Sequence, residues 1–332
     1  MKPAADFLSR YDALDRALVK AGFPATSPWW RVQLERLFSK DASAPARRRW
    51  LVRAGRRGGK LSTLARLAVC WALFGAWSIP PGDVGVVAFV SLSKDEASSR
   101  LRTIAAILDA LGIKYEQRGD ELEIATRAAL FKVFACNTSA VVGFTSIAIF
   151  GDEVARWESR DTGANPAREV IGSLAPTMAT VPAAFMVLSF SPWSVDDYHA
   201  ELFDLGDTAF QIVSYAPTWV ANQTISEEQT HELEPDERVW SREYAAIPSS
   251  SVAAAFDADL VLATFAAREP LGAPAFAGWI ALDPSSLRGD GFGVLAGTSS
   301  DRDEIVITAA GEYPPTMQAS ICVHMDSFGM RA

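Results

Sequence analysis

The sequence predicts an α/β domain with a largely parallel sheet flanked by helices, and three observations carry that expectation. Short apolar runs alternate with helical periodicities through most of the 332-residue chain, the pattern of successive strand–helix units. A glycine- and arginine-rich run, Arg53-Ala-Gly-Arg-Arg-Gly-Gly-Lys60-Leu-Ser62-Thr63, follows one apolar run and opens an apolar-periodic stretch. Another apolar run, Ser146-Ile-Ala-Ile-Phe-Gly-Asp152-Glu153, ends in two acids. In open sheets of this class ligands sit at the carboxyl ends of the strands, and both polar signals fall there.

Residues Asp6 to Phe38 read as helices broken at Pro24 and Pro28. Trp50–Val52 reads as a strand, Leu64–Ala76 as a helix and Val84–Val90 as a buried β-branched strand. Ser93 to Leu111 reads as a helix, with Ser93 and Glu96 in capping-box spacing. Leu122–Ile124 and Leu130–Phe134 read as a hairpin turning near Thr126-Arg127, and Ile147–Phe150 and Phe185–Leu188 as further strands. The stretch 266–275, rich in Pro, Gly and Ala, reads as a linker between a first domain (1–265) and a second (276–332). Gly278–Leu282 and Gly293–Ala296 suggest the first strands of that second unit.

Composition narrows the function classes. A hydrophobic content of 49% with 21% charged residues is that of a globular protein. The net charge of −9 argues against a surface coated for nucleic acid. Positive charge is nevertheless crowded locally: Arg47, Arg48, Arg49, Arg53, Arg56, Arg57 and Lys60 share one short stretch, compatible with DNA or nucleotide phosphates. Three cysteines without short spacing exclude a disulfide framework and a zinc ribbon, and a reducing cytosolic setting fits them best. The apolar run from Leu64 to Ile79 carries Arg66 and ends at Pro80-Pro81, so it reads as a buried helix and no membrane is implied.

The glycine run has the features of a phosphate-binding loop, the Walker A pattern. Glycines let successive N–H groups turn inward, and the following helix N-terminus adds partial positive charge. Gly55, Gly58 and Gly59 supply that freedom, and Lys60 is placed to reach the β- and γ-phosphates of ATP. The match departs from G-x-x-x-x-G-K-[ST] twice: Ala54 stands at the first glycine position and Leu61 follows the lysine. The strand ending in Asp152-Glu153 matches the Walker B requirement, an aspartate for Mg²⁺ and a glutamate to polarise the attacking water. Val187-Leu-Ser189-Phe-Ser191-Pro192 places small hydroxyls at a third strand end, where they can sense a γ-phosphate. Gln33 could pair with an adenine edge while Trp29 or Trp30 offers a stacking face; packing of the tryptophan pair onto the core is the competing reading.

Taken in order, PWWRVQ, AGRRGGK, VVAFVSLSKDEASSRLR, SIAIFGDEVARW and VLSFSPWS resemble the large terminase subunit of tailed bacteriophages, the motor that packages DNA into procapsids. Gly143-Phe-Thr145-Ser146 and Val154-Ala155-Arg156-Trp157 are similar to that family's "G-x-T…DEVAFW" stretch, and Tyr215-Ala-Pro-Thr218, Asn222 and Ser241-Arg-Glu243-Tyr244 also agree. The resemblance runs from about Pro28 to about Val306. It implies a P-loop NTPase-like fold, with Gln33 as the adenine contact and Gly55 to Lys60 as the phosphate loop. It further implies Arg56 or Arg57 as loop arginines acting on the γ-phosphate, Asp152 as the Mg²⁺ aspartate, Glu153 as the catalytic glutamate, and Ser189 and Ser191 as the coupling motif. Because Leu61 replaces the usual hydroxyl, Ser62 or a water would have to serve the metal. The arginine acting between subunits is left open among Arg100, Arg102, Arg156, Arg160 and Arg168.

The family carries a second, RNase H-like nuclease domain, and Trp279-Ile-Ala-Leu-Asp283-Pro284 resembles its first strand and first metal-binding aspartate. Phosphodiester cleavage needs several converging carboxylates, and the sequence ends before the family's later acids. The expectation is therefore a partial nuclease domain whose activity is lost by truncation, with a second divalent-metal site at Asp283 only if that domain were complete. The resemblance also implies double-stranded DNA, a small terminase subunit and a portal protein as partners, a homo-oligomeric ring, and work in the host bacterial cytoplasm, transiently at the procapsid portal. Two other readings stay open: a helicase-like P-loop ATPase, and a non-catalytic prophage remnant that only binds nucleotide.

Overall fold

A computed structural model describes residues 7–38, 45–137, 143–158, 165–193, 197–248, 279–283, 292–299 and 305–313. The chain divides into two compact units, residues 1–255 and 256–332. In the first unit, α1 (Phe7–Lys20) and α2 (Pro28–Phe38) precede β1 (Arg49–Ala54), α3 (Lys60–Phe74), β2 (Gly85–Ser91) and α4 (Lys94–Ala110). Then come β3 (Glu116–Arg118), β4 (Glu121–Ile124), β5 (Ala129–Ala135), β6 (Ser146–Asp152), α5 (Ala167–Leu174), β7 (Phe185–Phe190), α6 (Tyr198–Asp204) and β8 (Gln211–Ala216). Three short helices close the unit: α7 (Thr218–Ala221), α8 (Glu227–Leu233) and α9 (Glu237–Glu243).

The eight strands form one sheet in the order β3-β4-β5-β2-β6-β7-β1-β8. From β5 to β8 every neighbour is parallel, while β3, β4 and β5 form an antiparallel edge. This is the predicted fold class. Residues of β2, β6 and β7 are buried along their whole length, which requires cover on both faces, as parallel sheets demand. Apolar runs without alternation, such as Val86–Val90, are the sequence trace of that double burial.

The predicted hairpin is present: β4 and β5 pair antiparallel across a 3₁₀ turn at Ala125–Arg127. Two strands of this sheet escaped the sequence reading. All three residues of β3 are exposed, so no apolar pattern marks it. In β8 the buried Gln211 and Ser214 break the apolar signature because both serve as hydrogen-bonding partners for neighbouring segments. The helix predicted from Leu64 starts earlier, at Lys60, because Gly59 takes the left-handed conformation (φ 85°) that swings the loop onto the helix axis.

α3 is buried nearly all round, with Trp71 fully enclosed by Phe7, Phe38 and Phe185. Its one charged residue in that wall, Arg66, is buried and held by Asp15 at 3.0 Å, by Thr26 Oγ1 at 3.0 Å and by the Pro24 carbonyl. A buried guanidinium without acceptors is costly; those at its Nη atoms clamp the α1–α2 connection onto α3, while its Nε has no hydrogen-bond partner among the described residues. No helix among the described residues is long and apolar enough to cross a membrane.

The described residues of the second unit form a three-stranded antiparallel sheet, β9 (Trp279–Asp283), β10 (Phe292–Ser299) and β11 (Ile305–Tyr313), with β10 central. Asp283 is the last residue of β9 and pairs with Gly293. The predicted linker, 266–275, lies outside the described residues, as do Cys322 and His324.

Candidate functional site

The sheet order brings the predicted residues together. β1 delivers the glycine loop, β6 delivers Asp152 and Glu153, and β7 lies between them. The register sets Asp152 beside Ser189 and Ser189 beside Val52, so all three carboxyl ends finish at one level. A cavity of about 630 Å³ opens there. It is lined by Gly58, Gly59, Leu61, Ser62, Leu92 and Thr103, by five cations (Arg56, Arg57, Lys60, Arg100 and Arg156), and by two carboxylates, Asp152 and Glu153. An excess of cations in a concave site at a helix N-terminus suits a polyphosphate.

The loop is fixed from outside by contacts that local sequence could not reveal. Arg56 N–H donates to the Glu243 carbonyl at 2.7 Å, and Thr218 Oγ1 donates to the Arg56 carbonyl at 2.7 Å. Asn222 Nδ2 donates to the Arg57 carbonyl, and Trp30 Nε1 donates to the Gly58 carbonyl at 2.7 Å. At Gly55 the approach is so close that a Cβ would lie 2.3 Å from both Thr218 Oγ1 and the Tyr244 carbonyl oxygen. Arg57 itself is held at φ 64°, a conformation costly for a residue with a side chain. Thr218, Asn222, Glu243 and Tyr244 belonged to segments carrying the family resemblance, but their sequence context assigned them no role.

Lys60 is buried, with Nζ donating to the Ala54 carbonyl at 2.9 Å and to Ser191 Oγ at 2.7 Å. Glu153 Oε1 lies 3.2 Å from the same ammonium. Glu153 also accepts from the Ser191 N–H through Oε2 at 3.0 Å, and sits at φ 49° at the turn out of β6. Burial works to raise its pKa, but Lys60, the Ser191 N–H and Arg156 together pull it below its ordinary value, so it is a carboxylate at neutral pH. Asp152 accepts from Ser189 Oγ at 3.0 Å through Oδ1, while its Oδ2 accepts from Arg100. Ser189 thus holds Asp152, and Ser191 joins Glu153 to Lys60.

Other expected residues land differently. Gln33 does not line the cavity: it is buried, and its Oε1 accepts from Ser214 Oγ and Arg36 Nη1. Trp30 is buried against Trp29 and Trp50, the packing reading of that pair. Ser62 lines the cavity, but its hydroxyl donates to the Gly59 carbonyl at 3.0 Å. The crowded arginines do not form one basic face. Arg48 turns inward to the carbonyls of Met178, Val181 and Ala184, Arg49 binds Gln211, and Arg53 packs over Phe203. Among the arginines left open for a role between subunits, Arg100 and Arg156 line the cavity, Arg168 pairs with Glu201, and Arg160 lies outside the described residues.

At the level of sequence, no family model and no curated protein matches the chain. At the level of structure it is similar to the large terminase of bacteriophage HK97, with a TM-score of 0.57 at 13% identity, over 98% of this chain and 74% of that one. It is also similar to the large terminase of the thermophilic bacteriophage D6E, determined in complex with ADP, with a TM-score of 0.51 at 12% identity, over 90% of this chain and 74% of that one. The chain therefore has the fold of phage large terminases.

Proposed function

We propose that this chain is the ATP-hydrolysing motor subunit of a phage DNA-packaging terminase. The observation that carries the reading is the convergence of Lys60, Asp152 and Glu153, held by Ser189 and Ser191, on one cation-rich cavity beside a glycine loop. The similarity to the ADP-bound D6E terminase supports a nucleotide there. In this reading the loop N–H groups and Lys60 hold the β- and γ-phosphates. Taking Lys60 onto phosphate releases Glu153 from its ion pair, so that the carboxylate can polarise a water aimed at the γ-phosphorus. Ser191, which touches both Lys60 and Glu153, would register that exchange and pass it along β7.

The donor set at Asp152 fits Mg²⁺, a hard ion held in such sites by one or two carboxylates with phosphate and water completing the shell. Among the described residues no cluster of three protein ligands would hold a metal unaided, so phosphate oxygens would have to complete the site. Bound there, the ion would neutralise charge developing on the β- and γ-oxygens. Double-stranded DNA, a small terminase subunit, a portal and a ring of copies follow from the terminase reading; Arg48, Arg49 and Arg53 turn inward, which argues against the β1 arginine cluster as the DNA-contacting face. Asp283, at the end of β9, is the candidate for a nuclease metal in the second unit.

One observation favours a second reading, in which nucleotide binds without turnover: Leu61 lines the cavity where a metal-binding hydroxyl would stand. Steady-state ATP hydrolysis with and without linear double-stranded DNA separates the two. The motor reading expects DNA-stimulated turnover that falls at least about 100-fold in Glu153→Ala, the scale of losing general-base assistance. Absence of turnover in the wild type would leave the binding-only reading.

A further inference from the structure

Asp152 is engaged by a cation from an element the phosphate loop does not include. Arg100, on α4, donates through Nε to Asp152 Oδ2 at 2.8 Å, and its Nη2 reaches the same oxygen. Its Nη1 donates to Ser99 Oγ at 2.6 Å. Thr103, one turn further along α4, also lines the cavity, so this face of the helix is one wall of the chamber. The side chains of Arg100 and Asp152 are 15% and 10% exposed, so the pair is largely withdrawn from water.

Resting on the nucleotide-site reading above, we propose that Arg100 is a positioning residue that stands in for the divalent cation at Asp152, and is displaced from that carboxylate when the metal–nucleotide enters. Three features support the assignment. First, an unpaired carboxylate inside a phosphate chamber would repel the incoming polyanion, and a partly buried charge without a partner is costly. Second, the guanidinium converges on a single oxygen and leaves Oδ1 to Ser189, whereas the strong arginine–carboxylate geometry is a two-oxygen fork. A pair made through one carboxylate oxygen is the easier one for a divalent ion to replace. Third, Arg100 already lines the space the phosphates would fill, so release from Oδ2 leaves its charge within the chamber.

The assignment predicts a particular split in binding. Wild-type protein should bind ADP in EDTA within roughly tenfold of its affinity in Mg²⁺, because Arg100 masks Asp152 when no metal is present. Arg100→Ala should lose at least about tenfold in EDTA, from bare Asp152 facing the phosphates, while staying within about threefold in Mg²⁺; Arg100→Lys should restore most of the EDTA affinity. Equal weakening in both buffers would make Arg100 an ordinary phosphate ligand, and no change in either would remove it from the site; both overturn the proposal. A second arm uses Mn²⁺ alone, followed by its electron paramagnetic resonance signal. At millimolar ion, Arg100→Ala should bind Mn²⁺ that the wild type does not, and adding Asp152→Asn should abolish that binding. Wild type that binds ADP in neither buffer would sink the nucleotide reading, and the Mn²⁺ arm would then decide the Arg100 assignment alone: equal Mn²⁺ binding in wild type and Arg100→Ala overturns it.

Discussion

Lys60 and Glu153 face each other at 3.2 Å, so each is the other's counter-ion. That Lys60, Asp152, Glu153, Ser189 and Ser191 would share one site was legible in sequence, because Lys60 follows a glycine loop and the other four lie at the ends of short apolar runs, where a parallel sheet puts its ligands. Gln33 was read from its amide, its neighbouring tryptophans and the family resemblance; its commitment to Ser214, 181 positions away, leaves no local trace. His199 is a packed side chain. It lies buried against Phe190 with neither ring nitrogen hydrogen-bonded, and Asp197 is 3.9 Å away. Burial, with the Arg53 cation adding to it, pushes its pKa down to about 4 from an ordinary 6.5. Between those values the unfolded chain binds the proton and the folded one does not. Stability from this group is therefore complete above 6.5 and declines as pH falls toward 4, by roughly 2 kcal/mol between pH 7 and pH 5. Urea titrations at the two pH values check this: His199→Leu should remove that part of the decline, and an unchanged decline would contradict it.

At the scale of elements, the glycine loop is held as much by α2 and the segment after β8 as by its own strand and helix. Trp30 of α2 donates to the Gly58 carbonyl, and a Cβ on Gly59 would come within 3.2 Å of the same indole nitrogen. Trp30→Phe keeps an aromatic ring near Trp50 but deletes the donor and part of the buried ring volume. The expected cost is about 2 kcal/mol of stability or more, one hydrogen bond plus the space left behind, with a loss of nucleotide affinity of several-fold or more because the loop is less well preorganised. Thermal melts paired with a nucleotide titration check this, and unchanged affinity would show that the loop holds its shape without α2. The elements most legible in sequence, β2, β6, β7 and α3, are those whose burial makes them continuously apolar. β3 and β8 were missed for opposite reasons, one exposed throughout and the other burying polar residues that serve distant partners.

For the whole molecule, a chain of net charge −9 gathers five cations around one cavity and spends its other clustered arginines on buried carbonyls and rings. Sequence registered the local excess of charge but not its division, because the side on which an arginine emerges depends on neighbours such as Ala184 and Gln211 far along the chain. The fold class followed from the alternation of elements, whereas the closure of the loop by Thr218, Glu243 and Tyr244 required the three-dimensional path of the chain after β8. All of the proposed chemistry depends on nucleotide entering this one cavity, and Lys60 is the residue through which the phosphates should be held. The decisive measurement is a calorimetric titration of ATP with Mg²⁺ into wild type and Lys60→Ala. The account predicts saturable binding at one site per chain in the wild type, weakened at least about tenfold in the variant, a change of about 1.4 kcal/mol or more. Saturable binding that Lys60→Ala leaves unchanged, or no binding by the wild type, would contradict it.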